Sequence, residues 1–442
     1  MVIVWINNET VAAGHSIDAA RWHDAFDDLM NRIADRFARV EPRRRAGRVV
    51  QGLLADLPRK NCWTIAEWAG EATPHAMQHL LSRASWDADG VRDDVCDYVV
   101  EHLYDEAAVL VVDETGDLKK GRHTAGVQRQ YTGTAGRIEN AQVAVDLVYA
   151  GGRGHASVDR DLYVPRSWTD DPQRCRAAGL PDDRGFSTKP HLAQVMIERF
   201  LEAGHHARWA TGDEVYGASP SLRASLEAQG LGYVLAVSCS TVVPTGAGRF
   251  PARDLADRVP RRAWQRLSAG PGAKGPRFYD WALVEAADDG AGHRSLLIRR
   301  NHTTGEHAYY RCYAPQTATL ATLVTVAGTR WRIEEAFQQA KSLAGLDEHQ
   351  VRRYVSWTRW VTLAMLAQAF LAVVRAGEHP PADGSDELVP LSCNEIQRLF
   401  MTLIAHRVHD SNHRLCWSAW RRRHQARART AHYRRRQASR PC

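Results

Sequence analysis

The run AAVLVVDET, residues 107–115, constrains the fold of this chain more than any other segment. It is short, apolar and uninterrupted, as a central strand covered on both faces must be. A sheet with such a strand needs layers on both sides, which points to an α/β architecture. The run ends on an acid, Asp113. A carboxylate at the end of a buried strand is costly to ionise unless positive charge lies beside it.

Two more acids stand in comparable settings. Asp213 closes the apolar start of WATGDEVYG, and Glu334 opens the helical stretch TRWRIEEAFQQAK. Three carboxylates drawn together from distant parts of a chain repel one another. One or two divalent cations relieve this, and hard oxygen ligands suit Mg²⁺ or Mn²⁺. Two such ions roughly 4 Å apart clamp the attacking and leaving oxygens of an in-line phosphoryl transfer. Asp113 is followed by Glu114, but neighbouring strand side chains point to opposite faces, so only one of them meets the site. Arg330, Glu334 and Lys341 are spaced four and seven apart, hence on one helix face, and this favours Glu334 over Glu335.

Along the chain, residues 18–105 carry apolar positions at helical spacing. Within them CWTIAEWAGEATPHAMQHLLSRASW has the punctuation of a helix-turn-helix over 62–84, with His75, Gln78, His79 and Arg83 facing outward. An ordinary helical hairpin reads equally well. From residue 107 strands take over, and the order is three strands, helix, strand, helix, strand. A Gly-, Lys- and Arg-rich loop after the first strand holds Lys119, Lys120, Arg122 and Arg129. Residues 240–325 leave this pattern for Gly- and Pro-rich turns between short strands. The helix near Thr329 returns to it, WVTLAMLAQAFLAVV packs below, 376–389 is a linker, and NEIQRLFMTLIAHRV is one more helix.

A length of 442 residues calls for more than one domain. Residues 411–442 hold ten Arg and no acid, exceeding the net charge of +7, so the rest of the chain is slightly acidic. A basic segment this dense meets phosphates. The eight Cys include no CxxC pair, which argues against a zinc module or disulfide framework and for a reducing, cytoplasmic setting. MVIVWINNET is no signal peptide, and no 18-residue apolar run is evident, so a membrane partner is not expected. GPGAKG lacks the ending of a phosphate loop, which excludes a nucleotide cofactor. Trp264, Trp281 and Tyr279 read first as core residues and second as platforms for an unpaired base.

The segments DETGDLKKG, GVQRQYTGTAGRIENAQVAV, LYVPRSW, ATGDEVYG and RWRIEEAFQQAKSLAGL together resemble the DDE insertion-sequence transposases. The likeness is greatest to the insertion-sequence 701 family within the insertion-sequence 4 superfamily. With RKNCWTIAEWAG and WRRRHQARARTAHYRRR it extends over nearly the whole chain. It implies a ribonuclease-H-like mixed-sheet catalytic core over 107–239 and 326–375, with a β-rich insertion at 240–325. An all-α DNA-binding domain over 1–106 would precede the core, and a helical, basic region over 376–442 would follow. The family signature Tyr-x2-Arg-x3-Glu-x6-Lys is met by Arg330, Glu334 and Lys341, whereas Ala327 takes the tyrosine position. The resemblance implies that Asp113, Asp213 and Glu334 hold two Mg²⁺ or Mn²⁺ ions. Cleavage at the element's terminal repeats would then be followed by transfer of the 3′-OH into target DNA. Arg330, Lys341, Lys119, Lys120, Arg122, Arg129, Arg421, Arg422, Arg423, Arg434, Arg435 and Arg436 would contact double-stranded DNA, with a homodimer joining two ends. The alternatives are a regulator that binds DNA without cutting and a nuclease without strand transfer.

Overall fold

Residues 109–115 lie in an interior strand of a large sheet, which runs on to Leu118. The computed structural model describes residues 17–438 apart from 273–274, 288–289, 379–388, 406 and 408. The first six strands are β1 (Val109–Leu118), β2 (Gln128–Thr132), β3 (Arg137–Gly151), β4 (Gly154–Tyr163), β5 (Trp209–Gly212) and β6 (Gly232–Val237). β1 pairs antiparallel with β3 and parallel with β5, β4 lies antiparallel on β3, and β6 runs parallel beside β5. The resulting order β4-β3-β1-β5-β6 is the ribonuclease-H-like one expected from the sequence. β2 is a short addition to β3 formed by the basic loop. Burial explains the central run: Leu110 and Val112 enter one apolar cluster, while Val109 and Val111 enter another on the opposite face.

The segment between the second and third acids is built from β7 (Val242–Thr245), β8 (Gly248–Pro251), β9 (Gln265–Gly272), β10 (Gly275–Glu285), β11 (His293–Arg300) and β12 (His307–Ala314). β7 and β8 pair only with each other. The other four continue the central sheet, because β12 pairs with β6 and the order runs on through β11 and β10 to β9. A strand-rich insertion is thus present, fused to the edge that β6 would otherwise expose.

The principal helices are α1 (Ala19–Arg32), α2 (Val40–Leu54), α3 (Cys62–Trp68), α4 (His75–Ser82), α5 (Ala88–Leu103), α6 (Lys189–Glu202), α7 (Pro220–Ala228), α8 (Leu320–Thr329), α9 (Trp331–Ser342), α10 (Tyr354–Gly377), α11 (Cys393–Leu403) and α12 (Ser411–Ala438). From Ser356 to Val374 every residue of α10 is buried. Its length and hydropathy are enough to cross a membrane, contrary to the reading that no such run exists, but here it is the central core helix. α1, α2, α4 and α5 pack on it, Phe26 meets Phe370 at 5.4 Å, and Arg359 donates to the Ala84 carbonyl at 2.6 Å. The N-terminal helices therefore share one apolar cluster with β1, β3 and β4. α3 and α4 stand where a helix-turn-helix was expected, joined through Gly70 at φ +81°.

α8 and α9 meet at Arg330, which has helical backbone angles but ends one helix and begins the next. Gly328 explains how the junction sits so close to the sheet. A Cβ there would fall 2.0 Å from the Ala269 carbonyl oxygen of β9, so only glycine permits this approach.

Candidate active site

Register places the first two acids together. Val111 of β1 lies beside Thr211 of the parallel strand β5. Two residues further on come Asp113, midway along β1 rather than at its end as the apolar run suggested, and Asp213, just past the carboxyl end of β5. Asp113 is buried; its Oδ1 accepts the Glu114 N–H at 2.8 Å and its Oδ2 accepts Arg330 Nη2 at 3.1 Å. Asp213 caps the short helix after β5, accepting the Val215 N–H at 2.8 Å. Burial pushes Asp113 up to about 7; Arg330 opposes this and Asp213 reinforces it. Burial, then the neighbouring Glu114, also raises Asp213. Two carboxylates are thus held near each other with one guanidinium between helices as their visible counter-charge.

Glu114 points the other way, as strand alternation requires. It takes Lys189 Nζ at 2.5 Å and the Tyr216 hydroxyl at 2.9 Å, tying β1 to the helices behind the sheet. Glu334 is exposed in the first turn of α9, the same turn that brings Arg330 to Asp113. Its neighbour Glu335 is engaged by Arg332 at 2.8 Å and faces His155 at 3.9 Å. Among the described residues no three His, Cys, Asp or Glu side chains are gathered into a group able to hold a metal ion. The structure brings Asp113 and Asp213 together with Arg330, and it leaves the Glu334 carboxylate in solvent.

Of the proposed phosphate contacts, Lys341 donates to Thr134 Oγ1 at 3.3 Å, reaching from α9 to the β2–β3 turn. Lys119 is folded inward, 3.7 Å from Asp117 and 3.4 Å from buried His349, with burial lowering its pKa. Lys120, Arg122 and Arg129 are exposed around the same loop. Arg421 is occupied by an ion pair with Glu67 of α3. Arg422, Arg423, Arg434, Arg435 and Arg436 are exposed on α12. Trp281 serves the core, 1% exposed and donating to the Leu267 carbonyl, while Trp264 and Tyr279 lie under Arg300 and Arg299.

Two acids near the site were not singled out from the sequence. Asp146 sits directly across from Asp113 on β3, 2% exposed, and burial pushes it up to about 7. Asp117 accepts His349 Nε2 at 3.0 Å, which holds its pKa down against burial. The alternation in QVAVDLVYA did carry a signal for Asp146, since it shares a face with Ala144 and Val148 in a strand covered on both sides.

Comparison with known proteins places these features in a family. The model of the DDE superfamily endonucleases matches residues 32–275, more than half of the chain, and that of the transposase DDE domain matches residues 187–370. A probable transposase for insertion sequence element IS701 from Microchaete diplosiphon is 30% identical over 189 residues. The match takes in 42% of this chain and 46% of that protein, so the chain spans about half the length of this curated relative. The NurA nuclease from Sulfolobus solfataricus is 9% identical over 57% of this chain and 86% of its own, but the TM-score of 0.27 is too low to indicate a shared fold. On the strength of the model that covers more than half of it, the chain belongs to the DDE superfamily endonucleases.

Proposed function

We propose that the chain is a DNA transposase that cuts phosphodiester bonds at the ends of its element and joins the freed 3′ ends to target DNA. The observation that carries this is the pair Asp113, within β1, and Asp213, just past the end of the adjacent parallel strand β5, faced by Arg330. The donor set fits a hard divalent cation, because two acids raised by burial and repulsion gain from a positive charge placed between them. Asp113, Asp213 and Glu334 would hold Mg²⁺ or Mn²⁺, two ions in the full site, which when bound supply Lewis-acid activation of water or of a 3′-OH and stabilise the leaving oxygen.

The chain's own residues do the rest. Arg330 can exchange its bond to Asp113 for a bidentate hold on a phosphate, and Lys341 adds a point charge further along α9. Lys120, Arg122 and Arg129 are exposed around the loop after β1, where Lys119 instead turns inward to Asp117, and the exposed arginines of α12 supply a second surface for the backbone of double-stranded DNA. Joining two element ends calls for a homodimer or larger assembly.

Incubating the protein with a duplex of its own element end, target DNA and Mg²⁺ distinguishes the readings. Joined products support transposition, nicks alone a nuclease, and retarded but uncut DNA a non-cutting regulator. Asp113→Asn, Asp213→Asn and Glu334→Gln should each lower cutting at least about 100-fold, the scale of removing one preorganised electrostatic group, with duplex affinity kept within a few-fold. Cutting by any one variant at the wild-type rate removes that residue from the site.

A further inference from the structure

The strands that extend the sheet beyond β6 bring two further side chains to the same face as the acids. Thr211 of β5 lies beside Val234 of β6, so Asp213 falls level with Ala236. Ala236 in turn lies opposite Tyr310 of β12, and Tyr310 opposite Leu297 of β11. One row across the sheet therefore reads Asp113, Asp213, Ala236, Tyr310. Strands stand about 4.8 Å apart, Ala236 is the small residue between Asp213 and Tyr310, and the Tyr310 ring packs 6.1 Å from that of Trp281. In the next row, on the same face, Arg299 lies opposite Ala308. The position after Val237, the partner of Tyr309, is Ser238, so the backbone row from Arg299 toward β6 carries only the small residues Ala308 and Ser238.

Charge distribution singles out Arg299. Its neighbours on β11 are committed, Arg300 to Asp280 at 2.9 Å and Arg294 to Glu227 at 2.5 Å. Among the described residues Arg299 has no acidic partner. Its guanidinium rests 4.7 Å over the Tyr279 ring, and its buried Nε has no hydrogen bond. The Nε of Arg330 is likewise buried and unpartnered. Tyr310 stands two residues along β12 from Ala308, the partner of Arg299, and after burial its phenol feels first Arg299 and then Arg330. Leaving two guanidinium nitrogens unsatisfied beside a buried hydroxyl is costly unless an anion completes them.

We infer that Arg299 and Tyr310 form, with Arg330, a clamp for one phosphate of the DNA strand being cut, so that the insertion supplies substrate contacts to the acid pair. This rests on the function proposed above. The guanidinium of Arg299 donates to a non-bridging oxygen while its flat face stays on Tyr279, and the Tyr310 hydroxyl donates to the same group.

The test uses full-length protein carrying Asp113→Asn, so that binding is read without cutting. The probes are element-end duplexes with single uncharged methylphosphonates stepped through the cleavage region. Neutralising the clamped phosphate should weaken binding about 10-fold when Arg299 is present and by a clearly smaller factor in Arg299→Gln, where Arg330 and Tyr310 alone hold it. With Asp113 restored, Arg299→Gln should cut at least about 30-fold more slowly, Arg299→Lys should recover part of the loss, and Tyr310→Phe should show a smaller defect. Melting curves that match the parent show that each variant is folded. An Arg299→Gln profile identical to that of its parent, or a loss that adds to every methylphosphonate equally, overturns the clamp. If the wild-type chain cuts and Asp113→Asn does not, such a result removes the clamp alone. A wild-type chain that neither binds nor cuts the duplex overturns both the clamp and the function it rests on.

Discussion

At the scale of single residues, the sheet face that bears the acids also buries His155. It is 3% exposed, and neither ring nitrogen has a hydrogen bond. Burial, helped by Arg332, pushes it down to about 4 from the ordinary 6.5. A depressed histidine contributes stability that is present above its unfolded pKa and is lost as pH falls through 6.5 toward 4. Between pH 7.5 and 5 the wild-type chain should lose about 2 kcal/mol relative to His155→Phe, at about 1.4 kcal/mol per pH unit. Urea midpoints of the two proteins at both pH values measure this, and parallel pH dependences would show that His155 is not the group responsible. Asp113, Asp213 and Glu334 stand out as candidates in the sequence because acids in apolar strands and at a helix start are locally unusual. Arg299 and Tyr310 do not, because nothing in RSLLIRR or HAYYRCYA tells one arginine or tyrosine from the next. Their significance depends on strand pairing across the sheet.

Among the elements, α12 is the most unusual. Its first turns are anchored: Trp417 is buried and donates to the Glu71 carbonyl at 2.8 Å, and Trp420 meets Trp63 edge-on at 4.7 Å. His75 at the start of α4 lies 6.0 Å from Trp420, so the expected recognition helix and the basic helix are neighbours. From Arg422 to Gln437 every residue is exposed. A helix that is polar all round and bears like charges at helical spacing lacks packing to hold it and gains from an anionic partner. Replacing Arg434, Arg435 and Arg436 by Gln should lower the salt dependence of duplex binding by about 2 to 3 in log–log slope, at roughly 0.9 per phosphate contact. Anisotropy titrations across a salt series give that slope, and an unchanged value would place the DNA elsewhere. The charge of this helix was plain in the sequence. The loss of Arg421 to Glu67 was not, since the two are brought together only by docking of α12 on α3.

For the whole molecule, the apolar cluster does not respect the boundary at residue 106 that the change from helical to strand pattern suggests. α10 is covered on one side by β4 and on others by α1, α2, α4 and α5. Removing residues 1–106 would expose a helix as apolar as a membrane span. A fragment of residues 107–442 should therefore be recovered aggregated, whereas the full chain unfolds cooperatively. Gel filtration and thermal melts of both decide this, and a monodisperse fragment with a sharp transition would make the N-terminal helices an independent domain.

What the sequence determined by itself is what local pattern can encode: a doubly covered strand, the succession of strands and helices, acids set in or beside such elements, and a basic terminal helix. These follow from periodicity and from the cost of a carboxylate in apolar surroundings, which any short window displays. Tertiary structure alone decided which residues from distant strands share a row. It set Arg330 on Asp113, turned Glu114 to Lys189 and Tyr216, drew Lys119 inward to Asp117, and carried the strands of the 240–325 segment onto the edge of the central sheet. The physical reason is that strand pairing and helix docking are non-local: their partners lie up to hundreds of residues apart, and their energies depend on burial that no single segment contains.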